Sequence, residues 1–268
     1  MTNRRLQSAA DRETGRLLER RTSAAGVVDP MDPWKTLSEA ELRSMLAAGE
    51  RILECYRVLK KTNDNVVGEV LKGQGEFYEW DHYPKGDVYD HETHAQYYYH
   101  AHPVDLRGGE HGHFHTFLRP RGMPPGITPV PLPDYAPPKE KNDALCHFVG
   151  ISMDRAGYPI RLFTTNRWVT GEVWYAAEDV IAMLDRFVMD LAYPSWPVNV
   201  WITAMLRLFR PEIIGLLRAR DRAVAAWQAQ HPGVNAYEDR DLEITATADI
   251  SVERQIARIR KALRRFRR

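Results

Sequence analysis

Residues 93–118 read THAQYYYHAHPVDLRGGEHGHFHTFL and contain His94, His100, His102, His111, His113 and His115, six of the ten histidines in the chain. Two runs alternate strictly, His100-Ala101-His102 and His111-Gly112-His113-Phe114-His115. Successive side chains of a β-strand point to opposite faces, so strict alternation puts the histidines of each run on one face. Pairing 93–102 with 111–118 as an antiparallel hairpin sets His102 opposite His111, His100 opposite His113 and Tyr98 opposite His115. Directly opposed residues have Cβ atoms about 4.5–5.5 Å apart. The other face carries Ala95, Tyr97, Tyr99, Ala101, Gly112, Phe114 and Leu118. It is apolar and is expected to pack against helices.

The flanking sequence predicts helices, then strands, then helices. Residues 4–22 have a helical but highly charged pattern, and Asp29-Pro30 and Asp32-Pro33 mark a linker, because proline biases its predecessor away from helix. A helix is expected from Ser38, with Glu41 at capping-box spacing. It continues through Leu42, Met45, Leu46, Ile52, Leu53, Tyr56 and Leu59 at helical periodicity. Cys55 falls inside it and reads as a core residue. Residues 65–72 add a short helix, 77–80 read as a strand and 81–87 as a turn-rich loop. The segment 120–138 holds eight prolines and is expected to wrap the surface as an irregular arm.

A second hairpin is expected from 145–153 and 158–168 around Asp154-Arg155-Ala156-Gly157, with His147, Val149, Ile151 and Met153 on one face. Helices follow over 178–191, 198–209 and 211–230, with Pro211 suited to a first helical position. A last strand is expected over 242–247, then a terminal helix capped by Ser251. Strands grouped between runs of helices argue for an α+β fold. The expectation is a mainly antiparallel sheet, with a curved or half-barrel form as one option, flanked by N- and C-terminal helices. A charged appendage over 1–34 would precede one α+β domain over 35–268.

Composition narrows the partners. The net charge is +1, so bulk charge does not call for nucleic acid or a membrane. Only Cys55 and Cys146 occur, which excludes a disulfide-dense scaffold and fits a reducing, cytoplasmic compartment. The N-terminus has no apolar core of a secretory signal. The stretch 196–209 is interrupted by Pro197, Asn199 and Arg207 and is shorter than the roughly 20 residues a membrane span needs. Residues 254–268 hold eight Lys or Arg and no acid. They read as a solvated helix packed by its apolar stripe, or as a contact for an acidic partner.

The chemistry lies in the hairpin. Crowded imidazoles cost free energy unless something bridges them, and a metal ion does so. Imidazole suits zinc, copper, iron and nickel, so the expected cofactor is an Fe, Cu or Zn ion. The expected ligands are drawn from His94, His100, His102, His111, His113 and His115. Tyr98 and Glu110 are the expected catalytic partners. Glu110 is the weaker ligand, because strand parity points it away, and it is a candidate to support a histidine instead. His82, Asp81, Asp87 and His91 lie just before the hairpin; His147 and Glu172 are further, lower-ranked candidates.

Three histidines with an open position would suit a zinc-hydroxide hydrolase or lyase. Two histidines and a carboxylate would suit non-haem iron with dioxygen. The many neighbouring Tyr and Trp residues favour an oxygenase- or oxidase-type enzyme acting on a small organic substrate. A non-catalytic metal-binding or sensing protein is the other class. The histidine pairs on strands are similar in placement to those of cupin-like barrels. That family's first motif sets a Glu much closer behind its second His than Glu110, eight residues beyond His102, so the sequence is not assigned to it.

Overall fold

The computed structural model describes residues 34, 36–103, 109–132, 135–136 and 138–267. The expected N-terminal helix and most of the linker lie outside these residues. The first helix, α1 (Glu39–Lys60), starts where the capping box requires. Ser38 N–H donates to Glu41 Oε2 at 2.8 Å, and Glu41 N–H donates to Ser38 Oγ at 3.2 Å. Leu42, Met45, Ile52, Cys55 and Leu59 are buried along one stripe. Cys55 is a core residue, as expected, and burial pushes its thiol up to about 11. The short α2 (Val66–Leu71) follows, capped by Asn65.

Six strands form one open antiparallel sheet in sequence order: β1 (Tyr83–Tyr89), β2 (Ala95–His100), β3 (Gly112–Leu118), β4 (Cys146–Met153), β5 (Pro159–Thr165) and β6 (Ile244–Asp249). The sheet is not closed into a barrel. After β5 come α3 (Arg167–Thr170), α4 (Ala177–Met183), α5 (Trp196–Leu208) and α6 (Arg210–Gln230). Helix α7 (Val252–Leu263), capped by Ser251, follows β6. The fold is α+β, as the grouping of strands between helices implied. No described helix is long and apolar enough to cross a membrane.

The apolar face of the sheet packs on helices. Tyr97, Tyr99 and Phe114 are fully buried. The Phe114 and Trp201 rings lie 5.2 Å apart, and the Tyr97 hydroxyl donates to Asn199 Oδ1 at 2.7 Å. Both partners sit on α5, which also packs on α1. The described residues of the proline-rich arm are exposed or half-buried and run over the surface. Met123, Ile127 and Tyr135 join the main core, while Val130 and Leu132 cover a smaller cluster of Trp174, Val224, Ala236 and Leu242. The basic segment formed by α7 and the 3₁₀ turn Arg264–Phe266 uses some of its cations internally. Arg258 lies over the Trp34 ring, and Arg265 donates to the Trp34 carbonyl.

Four local expectations are corrected. Residues 77–80 are not a strand; β1 instead runs through the segment read as a loop. Pro84, Gly86 and Asp87 are tolerated there because β1 is an edge strand with a bulge between Tyr83 and Val88, where Gly86 and Asp87 adopt φ of 86° and 62°. The helix expected over 178–191 regularises only to Met183, plus a 3₁₀ turn at Leu184–Arg186. Strand β5 stops at Thr165, and the short α3 replaces its predicted end. His147 does not share the face of Val149 and Ile151. A bulge between Thr116 and Phe117 pairs Thr116 with Val149 and Phe117 with His147, leaving one extra residue in β4. That residue inverts the parity. His147 therefore joins the histidine face, and its ring lies 5.0 Å from that of His115.

Gly150 sits between His115 on β3 and Phe163 on β5. The Phe163 ring folds over it to lie 5.1 Å from His113 and 5.7 Å from His115. A Cβ at Gly150 would meet Phe163 Cζ at 2.3 Å. Gly150→Ala is therefore expected to destabilise the protein by about 1–3 kcal/mol through overpacking, measured by urea unfolding. A change below about 0.5 kcal/mol would contradict this packing.

Candidate metal centre

The hairpin of β2 and β3 has the register that strand alternation implied: His100 faces His113 and Tyr98 faces His115. His100 and His113 have ring centres 4.4 Å apart, and His102 lies 4.9 Å from His100 and 5.1 Å from His113. One ring nitrogen from each of His100, His102 and His113 lies within 4.8 Å of the others. Two nitrogens on one tetrahedral ion, each about 2.0–2.1 Å from it, would be about 3.3–3.4 Å apart. The three imidazoles are thus grouped closely enough that they could hold one ion. His113 is buried, both ring nitrogens of His100 are buried, and His102 is partly exposed.

Glu110 contacts His113 from outside the group. Its Oε1 lies 2.6 Å from His113 Nδ1, and both side chains are buried. The residue precedes the start of β3, so strand parity does not govern it. A carboxylate on Nδ1 fixes the ring and leaves Nε2 to coordinate, a recurrent support for metal-binding histidines. Glu110 thus positions His113.

The remaining expected residues divide. His115 lies next to the group, 4.8 Å from the His113 ring and 5.4 Å from that of His100, but its Nδ1 is 3.0 Å from His147 Nε2. Tyr98 lies beside His100 and His115, at 5.5 and 5.1 Å between ring centres. Burial pushes its phenol pKa up, so it stays protonated and can donate a hydrogen bond. His111 is not brought into the group. It precedes β3, and its Nδ1 is 2.6 Å from the Tyr99 hydroxyl, on the packing side. His94 occupies the β1–β2 turn at φ 62° with its Nδ1 on the Tyr89 hydroxyl. It sits one strand length, about 20 Å, from His100.

Two residues before β1 complete the surroundings. His82 stacks on Tyr98 with ring centres 3.6 Å apart and a 9° interplanar angle, and its Nδ1 is 3.1 Å from Asp87 Oδ1. Trp80, which the sequence did not single out, stands edge-on to His102 at 4.2 Å. On β4, directly opposite His113, Ser152 is buried, and its Oγ makes no hydrogen bond among the described residues.

With the geometry in place, comparison with known families is informative in one respect. A family described as a domain of unknown function, DUF6969, matches residues 46–250. The chain belongs to this family. The matched span contains His100, His102, His113 and Glu110, so the candidate centre lies inside the family's domain. No curated protein and no solved structure matches the chain.

A buried titratable pair lies behind the centre. His147 is fully buried with its Nδ1 3.4 Å from Thr165 Oγ1, and burial, with Arg220 nearby, holds it down to about 3. Its backbone N–H donates to Glu172 Oε2 at 2.8 Å. The other Glu172 oxygen has no hydrogen-bond partner among the described residues. Burial pushes Glu172 up to about 8 from an ordinary 4.5, against the opposing pull of Arg220 and the His147 N–H. A raised carboxyl pKa contributes stability that is complete below about 4.5 and is lost as pH rises through about 8. Relative to Glu172→Gln, which cannot ionise, the wild type is expected to lose about 1 kcal/mol or more between pH 5 and pH 8 in denaturant titrations. Parallel pH profiles for the two proteins would show that Glu172 is already ionised at pH 5.

Proposed function

We propose that this chain is a metal-dependent enzyme acting on a small organic substrate, with His100, His102 and His113 as the metal ligands. The observation that carries the reading is the meeting of these three imidazoles from both arms of one hairpin. The His113–Glu110 hydrogen bond supports it, because the buried ligand is oriented before any ion arrives. The partial exposure of His102 supports catalysis over storage, since it leaves one side of the group next to solvent, although both ring nitrogens of His100 and the whole of His113 are buried.

An all-imidazole set favours a zinc-hydroxide hydrolase or lyase. Three neutral ligands leave the charge of a divalent ion uncompensated, and such an ion supplies a water acidified towards neutrality. The two-histidine, one-carboxylate set of non-haem iron oxygenases finds less support, because Glu110 is engaged at His113 Nδ1. An oxygenase or oxidase using copper or iron is the second reading. It is favoured by the aromatic lining from Tyr98, His82 and Trp80 and by the affinity of imidazole for both metals.

The test is elemental analysis of protein purified without a histidine tag. Wild type is expected to carry about one transition-metal ion per chain. His100→Ala and His113→Ala should lose most of it; His111→Ala and His94→Ala should keep it. Glu110→Gln should weaken the affinity about 10- to 100-fold. Unchanged metal content in His113→Ala, or equal loss in His111→Ala, would contradict the ligand assignment. Dioxygen consumption by a copper- or iron-loaded sample would move the reaction class to the redox reading.

A further inference from the structure

We propose that Trp80 is the substrate-binding wall of this centre, and that the substrate carries a planar aromatic or heteroaromatic ring. The ring stacks on the indole while a donor atom of the same molecule reaches the metal. This inference rests on the ligand assignment made above.

Three observations converge on Trp80. Its ring lies perpendicular to that of His102, 4.2 Å away at 88°, so it flanks the partly exposed His102. It is 57% exposed, although a large indole gains most from burial. Its backbone adopts φ of 74°, a left-handed conformation that bulky residues rarely take and that is costly to hold. The Trp80 N–H donates to the Ala101 carbonyl at 2.9 Å, which fastens this turn between His100 and His102. The local structure thus holds an exposed aromatic surface beside a candidate ligand, in an unfavourable backbone conformation, without burying it in the core.

The segment presents a second aromatic group two residues on. His82 stacks flat on Tyr98, lies 5.7 Å from the His100 ring and is held by Asp87. Trp80 and His82 therefore bring two partly exposed ring systems to His102 and His100. Flat, rigid aromatic walls with few hydrogen-bonding groups favour flat apolar ligands, whereas polar or branched substrates need a different lining.

The test uses the full chain loaded with Co²⁺, whose visible absorption reports entry of a ligand. Three hydroxamates with the same metal-binding group are titrated: acetohydroxamate, cyclohexanecarbohydroxamate and benzohydroxamate. Benzohydroxamate is expected to bind about tenfold tighter than acetohydroxamate and measurably tighter than the cyclohexyl compound. Trp80→Ala should bring benzohydroxamate to within about twofold of acetohydroxamate, with Co²⁺ content and acetohydroxamate affinity unchanged. Trp80→Phe should retain most of the preference. Equal binding of benzo- and acetohydroxamate by wild type, an equal cyclohexyl affinity, or a preference that survives in Trp80→Ala would each overturn the aromatic wall while leaving the metal site intact. Failure to take up Co²⁺ would overturn both the site and the wall.

Discussion

The direct opposition of His100 and His113 across one antiparallel hairpin is the constraint on which the centre depends. Backbone hydrogen bonding between β2 and β3 sets the register, and a slip of one residue would turn every histidine of one strand to the opposite face. The register is held from the other side of the sheet. Tyr97, Tyr99 and Phe114 are buried against α5, so a slipped strand would expose aromatic surface and bury imidazoles. Packing and chemistry therefore specify the same pairing.

The parts that period-two alternation controls were legible in the sequence. The β2–β3 register, the division into a chemical and an apolar face, the Ser38–Glu41 capping box and the order of helices around the sheet all follow from local patterns. What was not legible lies where the backbone departs from regularity. Strand β1 contains Pro84 and Gly86, ordinary markers of a turn, and only its edge position and bulge make them acceptable. His147 changed faces because one bulge adds a residue to β4. A bulge carries no strong residue signature, so parity counted through it gives the wrong side.

The same lesson separates the histidines of the centre. His111 has the parity of His113 and His115 but lies before the ladder begins, and its ring is engaged by Tyr99. Glu110 was discounted as a ligand by parity and reaches His113 because parity does not apply outside the strand. His102 lies beyond the end of β2 yet remains close to His100 and His113. Trp80 could have been noticed as one of three aromatic residues in the run Phe77-Tyr78-Glu79-Trp80, but nothing in that run indicates its left-handed backbone or its position beside His102. Local alternation locates the candidate ligands; long-range placement decides which of them meet.

X-ray absorption at the edge of the bound metal tests the central claim most directly, because it counts ligands and identifies their type. The expected spectrum has three imidazole nitrogens at about 2.0–2.1 Å, with the outer-ring scattering typical of histidine, and at least one further non-imidazole light-atom ligand. That pattern would mean a three-histidine site with a position left for chemistry. A shell of four or more imidazoles, a sulfur ligand, or a site dominated by carboxylate oxygen would contradict the assignment of His100, His102 and His113 as an open catalytic centre.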